Sequence, residues 1–350
     1  MSKGSSRPLY FEGSDGIVET ECNAGEPILL AGLRQGLPLP YQCATGTCGE
    51  CQAELVSGKV DVLWEQAPGA AKKKPGQLLM CQTAARERAV IRFKGKALGV
   101  HLAASSPQHQ VARIDAVQVL SKDTAVVELR VARPFRYSGG QFVLVKIPEV
   151  SGFRAYSIGN FTSDHILRFI FRRKPGGKVT DWMFSGERVG TPVEIFGPLG
   201  RACLNLEQDR DLIMIVGGSG ISVALGVIEH ALTQKHFQKH SGWLFFGVRG
   251  PSDSFFGDVL EDYVRAAEGK LKVTIAFSEG SAPARLRQQY SLLEFSEGYV
   301  HEVAKEAMGK AANELTAFLA GPEPMVDGAI RTLVLSMGVP VTRIRYDKFT

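Results

Sequence analysis

The sequence predicts a multidomain chain that combines an α+β part, an antiparallel β-barrel and a parallel α/β part. Three textures along the 350 residues support this class. The first part holds five of the six cysteines, the middle part has alternating apolar runs between turn residues, and the last part alternates apolar strands with helical patterns. Strands at short, turn-punctuated spacing are typical of a barrel, and strand–helix alternation is typical of a parallel sheet.

Changes in composition predict the domain boundaries. We expect a cysteine-rich domain over residues 1–97, a barrel domain over residues 109–208 and an α/β domain over residues 209–350. Residues 98–108 are small and polar, including the run Ala103–Pro107, and are typical of a linker. A chain of this length is long enough for two or three such domains.

Composition and charge exclude several classes of function. The chain is 44% hydrophobic and 22% charged, as in globular proteins. Its net charge of +5 is too small to indicate a nucleic-acid-binding surface, and we expect the run Lys72–Lys74 to be a solvated loop. Glycines interrupt the longest apolar stretch, Leu212–Ile228, which favours a strand, a turn and a helix over a membrane span. Because the N-terminus has no apolar leader, we expect a cytoplasmic protein.

Four cysteines form the most specific motif of the first part. Cys43, Cys48 and Cys51 follow the spacing C-x4-C-x2-C, and Cys81 comes later in the chain. This spacing is typical of a plant-type 2Fe–2S site with four thiolate ligands. The two glycines between the first three cysteines allow backbone N–H groups to approach the sulfides of a cluster.

Zinc and disulfide bonds are the alternatives for these cysteines. A zinc site usually pairs two C-x2-C knuckles, and Cys81 has no cysteine neighbour in sequence. Disulfides conflict with a reducing cytoplasm. Cys22 and Cys203 fit no ligand spacing, so we interpret them as small apolar residues.

The middle part contains two features that favour a flavin site. The sequence Arg154–Ser157 follows a strand pattern, and its arginine can clamp a diphosphate. A turn at Gly177–Thr180 opens a helix, where backbone N–H groups can point at a phosphate. Tyr156 can stack on an isoalloxazine ring, and Ser157 can hydrogen-bond its N5 atom. Each feature alone is weak, but they occur together and in this order.

The last part contains a nucleotide-type turn. A buried strand leads into Gly217–Gly220 and then into a helix, which suits a pyrophosphate because glycines permit close approach and the helix N-terminus is partly positive. The turn is not the G-x-G-x-x-G fingerprint. Two later segments, Phe245–Arg249 and Leu319–Met325, strengthen the interpretation.

Together these motifs resemble two known families, and the resemblance covers nearly the whole chain. Residues 1–97 resemble the plant-type ferredoxin domain of bacterial oxygenase reductases, which implies a β-grasp fold. The remainder is similar to the ferredoxin–NADP reductase superfamily, which implies an antiparallel flavin-binding β-barrel, a parallel nucleotide-binding α/β domain and FAD. FMN is the alternative flavin, because related reductases use it.

The resemblance also implies a set of site residues. The implied cluster ligands are Cys43, Cys48, Cys51 and Cys81. The implied FAD contacts are Arg154, Tyr156, Ser157, Arg172, Gly177, Lys178, Val179 and Thr180. The implied nucleotide contacts are Gly217, Gly218, Ser219, Gly220, Gly321, Pro322 and Met325. Tyr156 and Ser157 are the expected catalytic residues together with Phe349, which matches a C-terminal aromatic beside the flavin; its alternative is a plain apolar terminus.

Two details concern the nicotinamide nucleotide. The family usually has a cysteine before the Gly-Pro step, and this chain has Ala320 there. Glu279 and Asp253 offer carboxylates where a 2′-phosphate would need cations, which favours NADH over NADPH. Arg249 is the observation against this preference, and all three are candidate nucleotide contacts.

Electron counting then predicts the function. NADH gives two electrons as hydride, a 2Fe–2S cluster accepts one, and a flavin can handle both. We expect a monomeric NADH-dependent reductase that passes electrons from FAD through the cluster to a terminal oxygenase component or its ferredoxin. The resemblance implies an oxygenase acting on an aromatic or other hydrocarbon. The alternatives are the reductase of a deoxysugar-forming dehydratase system and a non-enzymatic iron–sulfur carrier or sensor.

Overall fold

A computed structural model describes residues 6–98, 106–205, 210–309 and 314–349. The chain divides into two compact units: Met1–Gln110 with Leu144–Ala155 and Glu194–Leu199, and Val111–Val143 with Tyr156–Val193 and Gly200–Thr350. Most of the predicted linker, residues 99–105, lies outside the described residues. Within the described ranges, the helices are all too short or too polar to cross a membrane.

The first unit contains a five-stranded mixed sheet with one helix packed on it. The strands and helix of the cysteine-rich part are β1 (Arg7–Gly13), β2 (Gly16–Cys22), α1 (Ile28–Arg34), β3 (Gln52–Ser57), β4 (Val60–Val62), β5 (Gln77–Leu79), β6 (Thr83–Ala85) and β7 (Ala89–Phe93). The strand order is β2-β1-β7-β3-β5, with β1 antiparallel to β2 and parallel to β7, while β4 and β6 pair separately. Six of the seven residues of α1 are buried. This is the predicted β-grasp arrangement.

A buried carboxylate joins α1 to a strand of the middle part. Glu26 Oε1 lies 2.9 Å from Arg34 Nε and 3.4 Å from Nε2 of His109. Its Oε2 accepts a 2.8 Å hydrogen bond from the N–H of Asn23. These three partners satisfy a carboxylate that would otherwise be costly to bury.

The middle part forms a six-stranded sheet in the order β11-β10-β13-β8-β9-β12. Its elements are β8 (Gln108–Ser121), β9 (Thr124–Val131), β10 (Phe142–Lys146), β11 (Arg154–Ser157), β12 (Ile166–Arg172), α2 (Lys178–Phe184) and β13 (Pro192–Leu199). The apolar runs predicted β9, β10 and β12. They did not predict β8, because its buried positions are Gln110, Ala112 and Ile114, which do not form an apolar run.

The last part forms a six-stranded parallel sheet in the order β17-β16-β15-β14-β18-β19. Its elements are β14 (Leu212–Gly217), α3 (Ile221–Thr233), β15 (Gly242–Val248), α4 (Gly257–Ala266), β16 (Leu271–Phe277), α5 (Ala284–Gln289), β17 (Glu294–Glu297), α6 (Val300–Met308), β18 (Thr316–Pro322), α7 (Glu323–Arg331) and β19 (Ile344–Phe349). From β14 the chain adds strands β15 to β17 on one side, and it then adds β18 and β19 on the other side of β14, so the order of strands reverses between β14 and β18. Ligands of such sheets bind beyond the carboxyl ends of the strands at this reversal, so the fold itself indicates where a nucleotide would lie.

At Gly226, helix α3 packs directly against backbone of the segments that flank two strands of the middle sheet. A Cβ atom placed on Gly226 would lie 2.7 Å from the carbonyl oxygen of Ile158, and one placed on Gly139 would lie 2.2 Å from the carbonyl oxygen of Gly226. Distances this short leave room only for glycine. The helix that follows the Gly217–Gly220 turn is therefore in direct contact with the segments that flank β10 and β11.

A buried carboxylate fixes the same contact. Glu229 of α3 accepts hydrogen bonds from the N–H groups of Phe161 and Thr162 at 2.7 and 3.2 Å. The hydroxyl of Tyr263, on α4, donates to its other oxygen at 2.6 Å. These bonds hold the loop after β11 to the nucleotide-type helix.

The next residue, His230, adds a neutral imidazole to this contact. Its Nδ1 accepts a 3.1 Å hydrogen bond from the N–H of Gly139, and its ring stacks on Phe161 with centroids 3.8 Å apart. Burial lowers the pKa of His230 to about 4. Since Nδ1 must be unprotonated to accept this bond, the folded chain requires the neutral form.

We predict that His230 makes the chain sensitive to moderate acid. Its pKa in the folded chain lies below the ordinary value, so its contribution to stability is complete above about pH 6.5 and is lost as pH falls toward about 4. Between about pH 7 and pH 5 the loss is about 2 kcal/mol. His230→Gln, which keeps an acceptor, removes this component of the pH dependence of urea unfolding. The exposed control His165→Gln keeps the wild-type dependence, and an equal dependence in both variants contradicts the assignment.

Candidate functional site

The four predicted ligand cysteines lie in the first unit, where Cys43 contacts Cys48 and Cys51 contacts Cys81. Cys43 and Cys48 lie in the loop between α1 and β3, and Cys51 immediately precedes β3. Cys81 lies in the short 3-10 turn Met80–Gln82. The Sγ atoms of Cys51 and Cys81 are 3.2 Å apart.

The thiols are arranged as two pairs. Hydrogen bonding with the Cys48 side chain is the largest cause that lowers the pKa of Cys43, to about 4, against the opposing effect of burial. Hydrogen bonding with Cys81 likewise lowers the pKa of Cys51. Among the described residues, no group of three or more His, Cys, Asp and Glu side chains converges as a single-ion site would. Two thiol pairs suit a group of two irons, each of which takes two thiolates.

Backbone N–H groups already point at these sulfurs. Cys43 Sγ accepts from the N–H groups of Thr45 and Cys48, and Cys48 Sγ accepts from the N–H of Glu50, all at 3.4 Å. The turn that produces this arrangement requires positive φ at Gly46. Such bonds stabilise thiolates, so the loop fits the predicted cluster.

The other two cysteines lie elsewhere in the fold. All six cysteines are in the described ranges and are free thiols. Cys22 is buried, with its Sγ 3.3 Å from the carbonyl oxygen of Glu26, and burial raises its pKa to about 11. Cys203 is half-buried, and burial raises its pKa as well. These environments disfavour the thiolate that a metal ligand needs.

The predicted flavin residues of β11 lie at the edge of the middle sheet. The ring of Tyr156 stacks on Phe171 of β12, with centroids 3.9 Å apart and planes at 20°. Ser157 is buried, whereas among the described residues the guanidinium of Arg154 hydrogen-bonds the carbonyl oxygen of Phe153 alone, at 2.9 Å. Arg154 therefore retains donors for an anionic ligand.

The predicted phosphate turn is closed by its own hydroxyl. Thr180 Oγ1 accepts from the N–H of Lys174 at 3.2 Å and donates to the carbonyl oxygen of Gly177 at 3.0 Å. Val179 is buried behind the turn, and Lys178 is the first residue of α2. The turn is thus closed by the Thr180 side chain at the start of α2.

Arg172 connects the flavin and nucleotide motifs. Its guanidinium lies 3.6 Å from the carboxylate of Asp123, and a Cβ atom placed on Gly218 would lie 3.1 Å from its Nη1. The sequence placed these residues in two separate motifs. The structure brings them together, with a cation beside the Gly217–Gly220 turn.

The two predicted nucleotide segments meet at the reversal point of the parallel sheet. Strands β14 and β18 are parallel neighbours, with Val216 opposite Ala320. A Cβ atom on Gly220 would lie 2.2 Å from the carbonyl oxygen of Ala320, and one on Gly217 would lie 3.2 Å from Met325 Cε. Gly321 and Pro322 follow on β18. This position is where a parallel α/β sheet binds its ligand.

The three residues predicted to select the nucleotide lie close together, and backbone hydrogen bonds fix the segments that carry them. The N–H of Glu279 donates to the carbonyl oxygen of Arg249 at 2.8 Å, and the N–H of Asp253 donates to that of Gly250 at 3.0 Å. Arg249 and Glu279 are exposed beyond the carboxyl ends of β15 and β16. A cation and two carboxylates therefore share one end of the sheet.

The C-terminal strand β19 carries Phe349, which the sequence singled out, and Asp347, a buried acidic residue that it did not. Phe349 pairs with Pro322 across β18 and β19, and Asp347 pairs with Ala320. The Oδ2 atom of Asp347 is buried with no hydrogen-bond partner among the described residues, and burial raises its pKa to about 7. The strand pairing that creates this environment leaves no signal in the local sequence.

Comparison with protein families defines the class of this chain. Residues 13–86 match the family described as "2Fe-2S iron-sulfur cluster binding domain", and residues 214–331 match the family described as "Oxidoreductase NAD-binding domain". An iron–sulfur domain and a pyridine-nucleotide domain on one chain define an iron–sulfur oxidoreductase.

Comparison with individual proteins narrows the class to one family. The chain is 31% identical over 349 residues to the ferredoxin–NAD(P)(+) reductase CarAd of Metapseudomonas resinovorans, covering 97% of this chain and 100% of that protein. It is 28% identical to the toluate 1,2-dioxygenase electron transfer component of Pseudomonas putida, covering 96% of each. The solved structure of the ferredoxin reductase in carbazole 1,9a-dioxygenase matches with a TM-score of 0.84 at 30% identity over 99% of each chain. This chain belongs to the family of ferredoxin–NAD(P)+ reductases that contain a 2Fe–2S domain.

Membership in this family confirms the main predictions from sequence. The fold class, the oxidoreductase activity and the cofactor set of 2Fe–2S, FAD and NADH are those of the family. The contacts assigned to individual residues stay predictions.

We predict that substitution of a ligand cysteine removes the cluster, whereas substitution of Cys22 or Cys203 does not. Cys81→Ser removes one ligand of a four-thiolate site, so the purified variant loses the iron and labile sulfide but keeps its flavin. Iron, sulfide and flavin analyses check this. The matched controls Cys22→Ser and Cys203→Ser keep all three, and a full cluster in Cys81→Ser contradicts the ligand assignment.

Proposed function

We propose that this chain is the reductase component of a multicomponent oxygenase. It takes hydride from NADH and delivers electrons one at a time, through its cluster, to a terminal oxygenase component or to that component's ferredoxin. One observation carries the proposal. Four cysteines arranged as two thiol pairs occur on the same chain as the Gly217–Gly220 turn, from which helix α3 starts and packs against the segments that flank β10 and β11.

The electron count explains why both parts are present. NADH releases two electrons together, and a 2Fe–2S cluster accepts a single electron. When bound, FAD supplies the chemistry that converts one kind of transfer into the other. The chain's own residues bind NADH, FAD and the cluster in the order in which electrons pass between them.

Each group has a proposed set of contacts. Cys43, Cys48, Cys51 and Cys81 hold the cluster. Arg154, Arg172 and the turn formed by Gly177, Lys178, Val179 and Thr180 hold the FAD diphosphate. Gly217, Gly218, Ser219, Gly220, Gly321, Pro322 and Met325 hold the nicotinamide nucleotide. The proposed domains are residues 1–97, 109–208 and 209–350, with residues 98–108 as the linker.

The residues beside the reacting rings act by position. Tyr156 would orient the flavin ring, Ser157 would hydrogen-bond its N5 atom, and Phe349 would lie beside the ring. Ala320 supplies no thiol at this place. Hydride transfer depends on holding the donor and acceptor atoms in contact, so we expect it to proceed without one.

The partner follows from the relatives. They include the electron transfer component of a toluate dioxygenase and the reductase component of an alkene monooxygenase system of Xanthobacter autotrophicus, 29% identical over 340 residues. These names favour an oxygenase acting on an aromatic or other hydrocarbon over a deoxysugar-forming dehydratase. A non-enzymatic carrier would not need the nucleotide edge. Monomeric state and cytoplasmic location stay predictions.

We predict that the nucleotide preference depends on Glu279. Its carboxylate repels the 2′-phosphate of NADPH, and Glu279→Arg replaces this repulsion with attraction. The ratio of kcat/KM for NADH over NADPH falls by about tenfold, which corresponds to about 1.4 kcal/mol. Ferricyanide reduction measures both constants. The control Glu306→Arg on α6 keeps the wild-type ratio, and an unchanged ratio in Glu279→Arg contradicts the assignment.

We predict that a full-length chain without its cluster keeps electron transfer from NADH to a small acceptor and loses electron transfer to the oxygenase. Cys81→Ser still reduces ferricyanide with NADH, because a small acceptor reaches the flavin. It no longer supports product formation by a terminal oxygenase, since that protein collects electrons at the cluster. Full-rate oxygenase turnover with this variant means that electrons leave from the flavin, and the proposed path is then wrong.

A further inference from the structure

A loop rich in lysine packs directly on the cysteine loop. We call residues 63–74 the lysine loop. The N–H of Leu63 donates to the carbonyl oxygen of Gln82, next to Cys81, at 2.8 Å, and the N–H of Gly69 donates to that of Gly46 at 2.8 Å. A Cβ atom on Gly69 would lie 2.8 Å from the backbone nitrogen of Gly49. The two loops are therefore in backbone contact.

One glutamine fixes the lysines beside the cysteine loop. Gln52 Nε2 donates to the carbonyl oxygens of Gly49 at 2.8 Å and Lys72 at 3.3 Å. Its Oε1 accepts the N–H of Lys74 at 3.0 Å. Both loops thus share the three hydrogen bonds of a single side chain. The run Lys72–Lys74 is exposed, as the sequence predicted, and it also lies at the edge of the proposed cluster site.

The positive charges of this run are not neutralised within the described part of the chain. Lys72, Lys73 and Lys74 are exposed, and none forms an ion pair with a described residue, whereas Lys348 pairs with Asp327 at 2.7 Å. The nearest acidic positions in sequence, on the two loops, are Glu50 and Glu65, both exposed. Three contiguous cations therefore outnumber the carboxylates of the two loops.

Apolar side chains accompany these charges. Leu63 and Trp64 of the lysine loop are 46% and 38% exposed, and Val62, the last residue of β4, is 52% exposed directly before them. Exposed apolar groups surrounded by charged residues are typical of protein–protein contacts, and tryptophan is enriched in them. The lysine loop thus carries exposed apolar side chains together with three lysines and a single glutamate, Glu65.

We propose that the lysine loop is the docking surface for the electron acceptor, and that the acceptor presents an acidic surface around its own redox centre. The inference rests on the proposed function, because it defines the partner that the function requires. Complementary charge steers encounter and selects partners more than it strengthens the complex. Docking here brings the acceptor to the edge of the cluster, where single electrons leave.

Two probe proteins of opposite charge test this surface. Cytochrome b5 is acidic and cytochrome c is basic, and both accept one electron. In the NADH-loaded, full-length chain, changing Lys72, Lys73 and Lys74 together to Glu lowers the second-order rate constant for cytochrome b5 at least tenfold at low salt and raises that for cytochrome c. The triple change to Gln gives intermediate values. High salt removes these differences, because it screens the charges.

A matched variant controls for net charge. Changing Lys239, Lys270 and Lys272, which are exposed in the second unit, to Glu leaves both rate constants within about twofold of wild type. If neither the Glu nor the Gln variant of the lysine loop changes the rate constants for the two cytochromes, the docking proposal is wrong. Reduction of the cluster itself by NADH is followed in parallel. If NADH does not reduce the cluster in the wild-type chain, the proposed function fails instead, so the two failures are distinguishable.

Discussion

The contact between helix α3 and the turns of the middle sheet is the interaction on which the reductase site depends. Hydride transfer needs its two reacting atoms in contact, yet the residues proposed to bind the nucleotide and the flavin lie on different sheets. Gly226 and Gly139 allow the helix to touch the sheet backbone, and Glu229 and His230 hold it there by hydrogen bonds. The helix starts at the nucleotide turn, so this contact positions one proposed site relative to the other.

The cysteine loop solves a different physical problem. A buried thiolate is costly unless it is hydrogen-bonded or bound to a metal, and the loop supplies backbone N–H groups to Cys43 and Cys48 before any cluster is considered. The same loop supports the lysine loop through Gln52. The geometry that suits a cluster thus also shapes the surface through which its electrons leave.

The sequence predicted features that depend on local spacing. The four cysteines, the Gly217–Gly220 turn and the strands with long apolar runs are of this kind. It could not predict β8 or β19, whose pairing involves distant segments, nor the burial of Glu229 and Asp347. An acidic residue in a helical pattern normally indicates a solvated face, and only the packing of a second element against it reveals a buried role. The exposure of Lys72–Lys74 was predicted, but their backbone contact with the cysteine loop was not, because it depends on segments distant in sequence.

The order of electron transfer is tested most directly by a chain that has lost FAD but kept its cluster. When this form is mixed with NADH without oxygen, the account predicts that the visible spectrum of the cluster does not change and that the paramagnetic signal of a reduced cluster does not appear. Adding FAD restores rapid reduction, with a primary isotope effect when the transferred hydrogen of NADH is deuterium. Reduction of the cluster by NADH at the normal rate without FAD would contradict the account, because electrons would then reach the iron without passing the flavin.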